Sequence, residues 1–465
     1  MIEDMLRSVA ACARQIRAGG ISSVELTAAA LDRIGSSDAR LNAFLSVDAE
    51  SALAAARACD ADIGRGEWRG PLHGVPYALK DIIDVAGQRT SCHSRIRMDH
   101  IARADAEVVS RLRQAGAILI GKTALHEFAT GGPSFDLPWP PARNPWDPNI
   151  HPGGSSSGSA VAVAAGMVPL ALGTDTAGSV RHPATVCGIV GIKPTYDAIS
   201  LAGTFPLSYS LDCMGLLTHG VLDSAVTLAP LLTAEAARRI RRTSDPMAPF
   251  PGLEDGLGGL RIGVIEAFQP ESEIDPEIGA ATAEAIRALQ HAGARVRPLR
   301  LSPLAVYTEC GKTILQSEAY SIHAAWLRAR HAEYGRRGRR RLAAGLTIPV
   351  ERYIRAQQVR AHLIREYAAA MQSFDVAVCA SSLAFACRID DEATVDRTYD
   401  RQARTPFNVL GTPAISIPIG VGKAGLPMAL QIAGRPYDEP TLLRAARGLE
   451  QALGLSLTPP CAASR

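Results

Sequence analysis

Two hydroxyl-rich loops and one lysine are the residues of this sequence best suited to chemistry. The first loop runs His151-Pro-Gly-Gly-Ser-Ser-Ser-Gly-Ser159 and the second Gly173-Thr-Asp-Thr-Ala-Gly-Ser-Val-Arg181. Loops this rich in Gly and Ser serve as flexible linkers, as phosphate cradles, or as catalytic loops that turn hydroxyls and backbone N–H groups toward a reacting carbonyl. A linker does not sit between apolar strands inside a domain. The phosphate reading lacks both the Gly-Lys-Ser/Thr ending of a P-loop and the GxGxxG spacing of a dinucleotide site. A catalytic loop fits better, because glycine permits unusual backbone angles and small side chains clear space for substrate.

An alcohol is a poor nucleophile at neutral pH and needs an adjacent base. Eleven histidines are present, but no GxSxG elbow surrounds Ser155 or Ser179. The other available base is a lysine kept neutral by burial. Lys80 closes the otherwise apolar run Val75-Pro-Tyr-Ala-Leu-Lys80. Moving a lysine from about 10.4 to about 7–8 takes roughly 3–5 kcal/mol, which full burial can supply. An ion pair with Asp81 or Asp84 is the competing role.

The elements that must position these groups follow from periodicity. Ser22 and Glu25 form a capping box ahead of the apolar stripe Leu26, Ala29, Ala30 and Ile34, so the first 65 residues read as helical. From about Gly70 short apolar strands alternate with helices. Strands are expected at 77–85, 117–121, 168–174 and 189–192, and helices at 105–115 and 160–165. Such alternation predicts an α/β layer with a covered, largely parallel sheet. Thr243–Gly259 is rich in Pro, Gly and acids and reads as a linker. A strand restarts at 260–266, and a helix follows from Pro276 with Asp275 as N-cap and Gly293 as stop. Residues 309–372 read as mostly helical.

Bulk properties narrow the function. The chain has 465 residues, 47% hydrophobic and 20% charged, with net charge +3, so no global field for nucleic acid is implied. The cluster Arg336, Arg337, Arg339, Arg340 and Arg341 reads as a solvated face rather than a nucleic-acid patch, since no aromatics interleave it. Nine scattered cysteines without a CxxC pair predict reduced thiols and a cytoplasmic protein without a zinc site. The acidic start predicts no signal peptide. The stretch 152–174 carries no charged residue, but its glycines and Pro169 mark it as interior loop, helix and strand rather than a membrane span.

With these residues in place, the sequence resembles the amidase-signature family. The resemblance rests on Gly74-Val-Pro76 with Lys80-Asp81, then Gly153-Gly-Ser-Ser-Ser-Gly-Ser-Ala160, Ala164-Ala-Gly166, Gly173-Thr-Asp175, Gly178-Ser-Val-Arg181, Cys187-Gly188 and Gly191-Ile-Lys-Pro-Thr195. It is clear over about residues 66–230 and fainter over 374–453. The family fold it implies is a central mixed, mostly parallel β-sheet covered on both faces by α-helices. One domain is expected across 1–465: N-terminal helices over 1–65, a signature core over 66–235, a strand and pocket-covering helices over 260–372, and a C-terminal part over 373–465.

The resemblance also implies roles. Ser179 matches the nucleophile, Ser155 the relay serine on a cis peptide, and Lys80 the terminal base. The backbone N–H groups of Thr176, Ala177, Gly178 and Ser179 match an oxyanion hole, while Ser157, Asp175 and Arg181 brace the loops, Ser157 near the lysine. No metal or organic cofactor is implied. Ala177 departs from the family, which usually has glycine there. The proline-rich stretch 131–142 also departs. Phe128, Phe135, Trp139, Phe205 and Tyr209, with Trp326, are candidates to line an aromatic-accepting pocket; core packing is their other possible fate.

The implied reaction is hydrolysis of a carbon–nitrogen acyl bond in a small amide, aryl amide or carbamate (a urethanase-like or esterase side activity included). A free-standing monomer or homodimer would act without nucleic acid or membrane. The alternative is the glutaminase component of a tRNA-dependent amidotransferase complex. Against it, Thr405-Pro-Phe-Asn408 resembles the free amidases, and the acidic glutamine-binding position of the tRNA-dependent enzymes falls near Arg401.

Overall fold

Apolar runs from every part of the chain meet in one mixed sheet. The computed structural model describes residues 2–400 and 402–462. Its strands are β1 (Phe44–Val47), β2 (Pro76–Lys80), β3 (Ile118–Thr123), β4 (Leu170–Asp175), β5 (Val190–Lys193) and β6 (Cys213–Thr218). They continue with β7 (Arg261–Val264), β8 (Arg295–Pro298), β9 (Val376–Ala380), β10 (Ala414–Val421) and β11 (Pro427–Ala433). These eleven strands lie in the order β1-β3-β2-β4-β6-β5-β10-β11-β9-β7-β8.

Parallel pairing is confined to β3-β2-β4 on one side and β9-β7-β8 on the other. The pairings between them, and β1 with β3, are antiparallel. The mixed, helix-covered sheet is therefore as expected, while its parallel share is smaller. Unbroken apolar strands signal burial on both faces, and burial does not dictate strand direction.

Local signals place most elements within a few residues. Ser22 and Glu25 form the capping box of the helix Ser23–Leu41. Asp275 caps Pro276–His291, accepting from Glu277 N and Ile278 N. The charge-free stretch forms the wholly buried helix Ser157–Ala164, followed by β4. The expected strand 77–85 stops at Lys80, where Ile82 N turns back to Lys80 O at 2.7 Å. The linker reading of 243–259 gives way to a packed segment, because Phe250, Leu253 and Leu257 sit in the core. Among the described residues no helix is long and apolar enough to cross a membrane.

Candidate active site

Lys80 and Thr174 stand at the carboxyl ends of the parallel neighbours β2 and β4. Ligand sites in α/β sheets form at such strand ends, where loops rather than pleats continue the chain. Lys80 Nζ donates to Ser155 Oγ at 2.8 Å and to Thr174 Oγ1 at 2.8 Å. The competing ion pair is absent: Asp81 points to the other side of the strand and binds Lys122 Nζ at 2.8 Å. Ser157 is buried at the start of its helix. The second hydroxyl at the lysine is Thr174 rather than Ser157. The sequence offered no signal for this beyond the pleat, which turns Thr174 and Asp175 to opposite sides.

Lys80 is fully buried, and burial lowers its amine to about 7 against the opposing charges of Asp212 and Asp175. Burial likewise pushes the Asp212 carboxyl up to about 6. Asp212 accepts from Thr176 Oγ1 at 2.6 Å and from the amides of Leu207 and Ser208. Its negative charge favours the ammonium form of Lys80. Asp212→Asn should therefore lower the Lys80 pKa further, read by NMR titration of labelled lysine; an unchanged midpoint would show that the charge is not felt.

Ser155 follows a cis peptide bond from Gly154. Its carbonyl accepts from His126 N at 3.1 Å, and Ser156 N donates to Ser179 O at 3.1 Å, so the two serine loops are stitched together. The Asp175 carboxylate folds the second loop by accepting from the amides of Gly178 (2.8 Å), Val180 (3.1 Å) and Arg181 (3.3 Å). Gly178 is required where it stands: φ is +113°, and a Cβ there would lie 2.7 Å from Arg404 Cβ. Ala177 is not among the positive-φ residues, so its methyl group is accommodated without strain. The Gly178 N–H, committed to Asp175, is not available to an oxyanion. No acceptor among the described residues takes the amides of Ala177 and Ser179.

Arg181 ties this loop to distant segments. It donates to Asp175 Oδ1 at 2.8 Å, Asn408 Oδ1 at 2.6 Å, Gln431 Oε1 at 2.6 Å and Arg404 O at 3.0 Å. Although burial works against the Asp175 carboxylate, the charge and hydrogen bonds of Arg181 hold it well below the usual carboxylate range. Both members of the pair are fully buried. Arg181→Met should destabilise the fold by ~3–5 kcal/mol, since it strands a buried carboxylate. Urea unfolding checks this, and a loss under 1 kcal/mol (about the worth of a surface pair) would contradict it.

Ser155 and Ser179 open on a cavity of about 120 Å³. Its walls include His126, Ala129–Gly131, Thr176, Ala177, Leu207, Tyr399, Gln402 and Thr405. The helix Leu304–Ala329 contributes Thr308, Gly311, Lys312, Leu315 and Gln316 to the lining. Lys312 and Arg341 are charged lining residues, and no carboxylate lines the cavity among the described residues. Of the arginine cluster, Arg341 lines the cavity and Arg337 is buried, while Arg336 and Arg340 stay exposed. Asp396 receives Arg337 (2.6 Å), Arg340 (2.5 Å) and Arg341 (2.8 Å), three cations on one carboxylate.

The five expected pocket aromatics lie elsewhere. Phe128 and Phe205 pack together at 5.2 Å and join His323, Trp326 and Tyr334 in an aromatic cluster. Trp139 meets His93 edge-on, Phe135 is exposed under Arg143, and Tyr209 is exposed. Core packing claims the first pair because adjacent rings bury more area together than either does in a polar cleft. Arg401 lies outside the described residues. Among the described residues no three His, Cys, Asp or Glu side chains are grouped to hold a metal.

The profile of the family described as Amidase matches residues 25–443. This chain belongs to the amidase family. An amidase-family relative from Anaeromyxobacter sp. (strain K), named as the A subunit of glutamyl-tRNA(Gln) amidotransferase, is 38% identical over 96% of each chain. Among solved amidase structures, the native peptide amidase from Stenotrophomonas maltophilia superposes with TM-score 0.83 at 30% identity, covering 97% of this chain and 98% of that one. The 6-aminohexanoate cyclic dimer hydrolase superposes with TM-score 0.85 at 27% identity over 99% and 100%. The amidase family thus accounts for the whole sheet and for the hydrolysis of C–N bonds as the class of reaction.

Proposed function

We propose that this amidase cleaves its C–N acyl bond through an acyl-enzyme on Ser179, with Ser155 and Lys80 carrying the proton. The reading rests on one observation: a fully buried lysine with its amine near 7 donates at 2.8 Å to a serine that shares a cavity with Ser179. Ser179 Oγ attacks the carbonyl carbon while its proton passes to Ser155 Oγ and the Ser155 proton passes to neutral Lys80. The amides of Thr176, Ala177 and Ser179 receive the oxyanion; preorganised donors of this kind contribute on the order of 10²–10³ in rate each. The relay returns the proton to the departing amine. Water then repeats the route to release the acid and restore Ser179. No step calls for a metal or organic cofactor.

Two cations and no carboxylate along the cavity suit an amide that also carries an anionic group. Purified chain should release ammonia from succinamate at least ~10-fold faster, by kcat/KM, than from butyramide, the discrimination expected of one charge-assisted contact. Equal rates would remove the anionic preference.

A second reading concerns the setting rather than the chemistry. The relatives named as amidotransferase subunits favour a glutaminase working with partner chains over a free-standing enzyme. Co-expression with companion chains separates the two. Glutamine hydrolysis that appears only in the complex supports the multi-chain setting, and full amide hydrolysis by the lone chain supports the free enzyme.

A further inference from the structure

A second, smaller cavity of about 20 Å³ borders the helix that follows Ser179 and shares no lining residue with the first. His151, His182, Ser382, Thr398 and Arg404, with Cys387, supply its polar lining. His151, His182 and Arg404 are 2%, 4% and 1% exposed. His151 Nε2, His182 Nδ1 and Arg404 Nε have no hydrogen-bond partner among the described residues. Gly153 N donates to His151 Nδ1 at 2.8 Å, so the proton of the neutral ring sits on Nε2 and makes it a donor. His182 takes the other tautomer, since its ring bonds the Gly154 backbone and burial keeps it neutral, which leaves Nδ1 an acceptor. Two residues with buried N–H donors and one with a buried acceptor therefore border one small space.

Charge is unbalanced at the same place. The Arg404 guanidinium bonds only neutral groups, Ser381 O and Ser382 Oγ, and makes no ion pair among the described residues. The nearby Asp175 is held by Arg181. An uncompensated buried ion and orphaned buried donors are both costly. A water would satisfy the donors but leave the charge unopposed; a monatomic anion answers both. A cavity needs roughly 10–15 Å³ to hold one water, so this one admits a single halide-sized particle and excludes phosphate or a carboxylate ligand.

We propose that this cavity binds one halide ion, held by His151 Nε2 and Arg404 Nε. Arg404 also packs against Gly178, where an added Cβ would meet its Cβ at 2.7 Å and its Nε at 3.0 Å. Fixing Arg404 thus fixes the floor of the Ser179 loop, and the halide acts as a positioning ligand rather than a reactant.

The test uses the intact chain and needs no substrate. Crystals soaked in sodium bromide should show an anomalous peak within hydrogen-bonding reach of both nitrogens. At matched ionic strength, replacing sodium gluconate by bromide should raise the melting temperature saturably by ~2–4 °C, as ligand linkage predicts for a chain of this size. Arg404→Gln should abolish the rise. Should that variant not fold, His151→Phe removes one donor while keeping an aromatic ring, and should raise the bromide midpoint at least tenfold. No anomalous peak, coincident melting curves in the two salts, or an unmoved midpoint in the variants would each overturn the halide site.

Discussion

Ser179→Ala should lower kcat by on the order of 10⁵-fold and eliminate any covalent adduct. The argument is geometric. Ser179 is half-buried on the wall of the main cavity, at the turn that Asp175 organises through three backbone amides. Its amide and those of Thr176 and Ala177 have no acceptor among the described residues. Removing the hydroxyl deletes the proposed attacking atom while leaving those donors and the cavity intact. The fold should be undisturbed, with stability within about 0.5 kcal/mol of the parent, as for substitutions away from core features. Intact-protein mass after mixing with a nitrophenyl ester reads the adduct directly. An acyl mass shift on Ser179→Ala equal to that of the parent would move the nucleophile elsewhere. Ser155→Ala keeps the nucleophile but interrupts proton transfer, and should cost less, ~10³-fold.

Lys80→Met should reduce kcat/KM by ~10³–10⁴-fold, because it removes the proposed terminal proton acceptor while roughly keeping side-chain volume. The parent chain should show a matching pH signature. Burial lowers the Lys80 amine to about 7. Below that value the amine is protonated and cannot accept from Ser155; above it the base is free. The logarithm of kcat/KM should therefore climb with unit slope on the acid side and level off above about pH 7. A rate that falls steadily from about pH 6 to 8.5 would rule out a lysine base, whatever the mutants do. Because Asp212 favours the charged form of Lys80, Asp212→Asn should carry the same limb toward lower pH, a displacement that a purely structural role would not produce.

Much of the candidate site was legible from residue type and spacing. A lysine closing an apolar strand, and two serines in glycine-rich loops, name a base and two hydroxyls before any folding is considered. Capping chemistry was equally readable, since the Ser22–Glu25 and Asp275 caps depend only on neighbours within three residues. The pocket was not. Phe128 and Phe205 looked like cleft residues by type, yet they pack with residues from the distant stretch 323–334. The actual wall comes from Thr308, Lys312, Arg341 and Tyr399, which have no local signature.

By itself the sequence determined which groups could react: bond-making types and the helix caps are properties of a few adjacent residues. Only the tertiary structure decided that Thr174, not Ser157, is the second partner of Lys80, that Asp175 consumes the Gly178 amide, and that Arg181 ties together loops over two hundred residues apart in the chain. Strand direction in the middle of the sheet belongs with these. Each depends on which remote segments become neighbours, and burial, hydrogen bonding and charge act across space irrespective of separation along the chain.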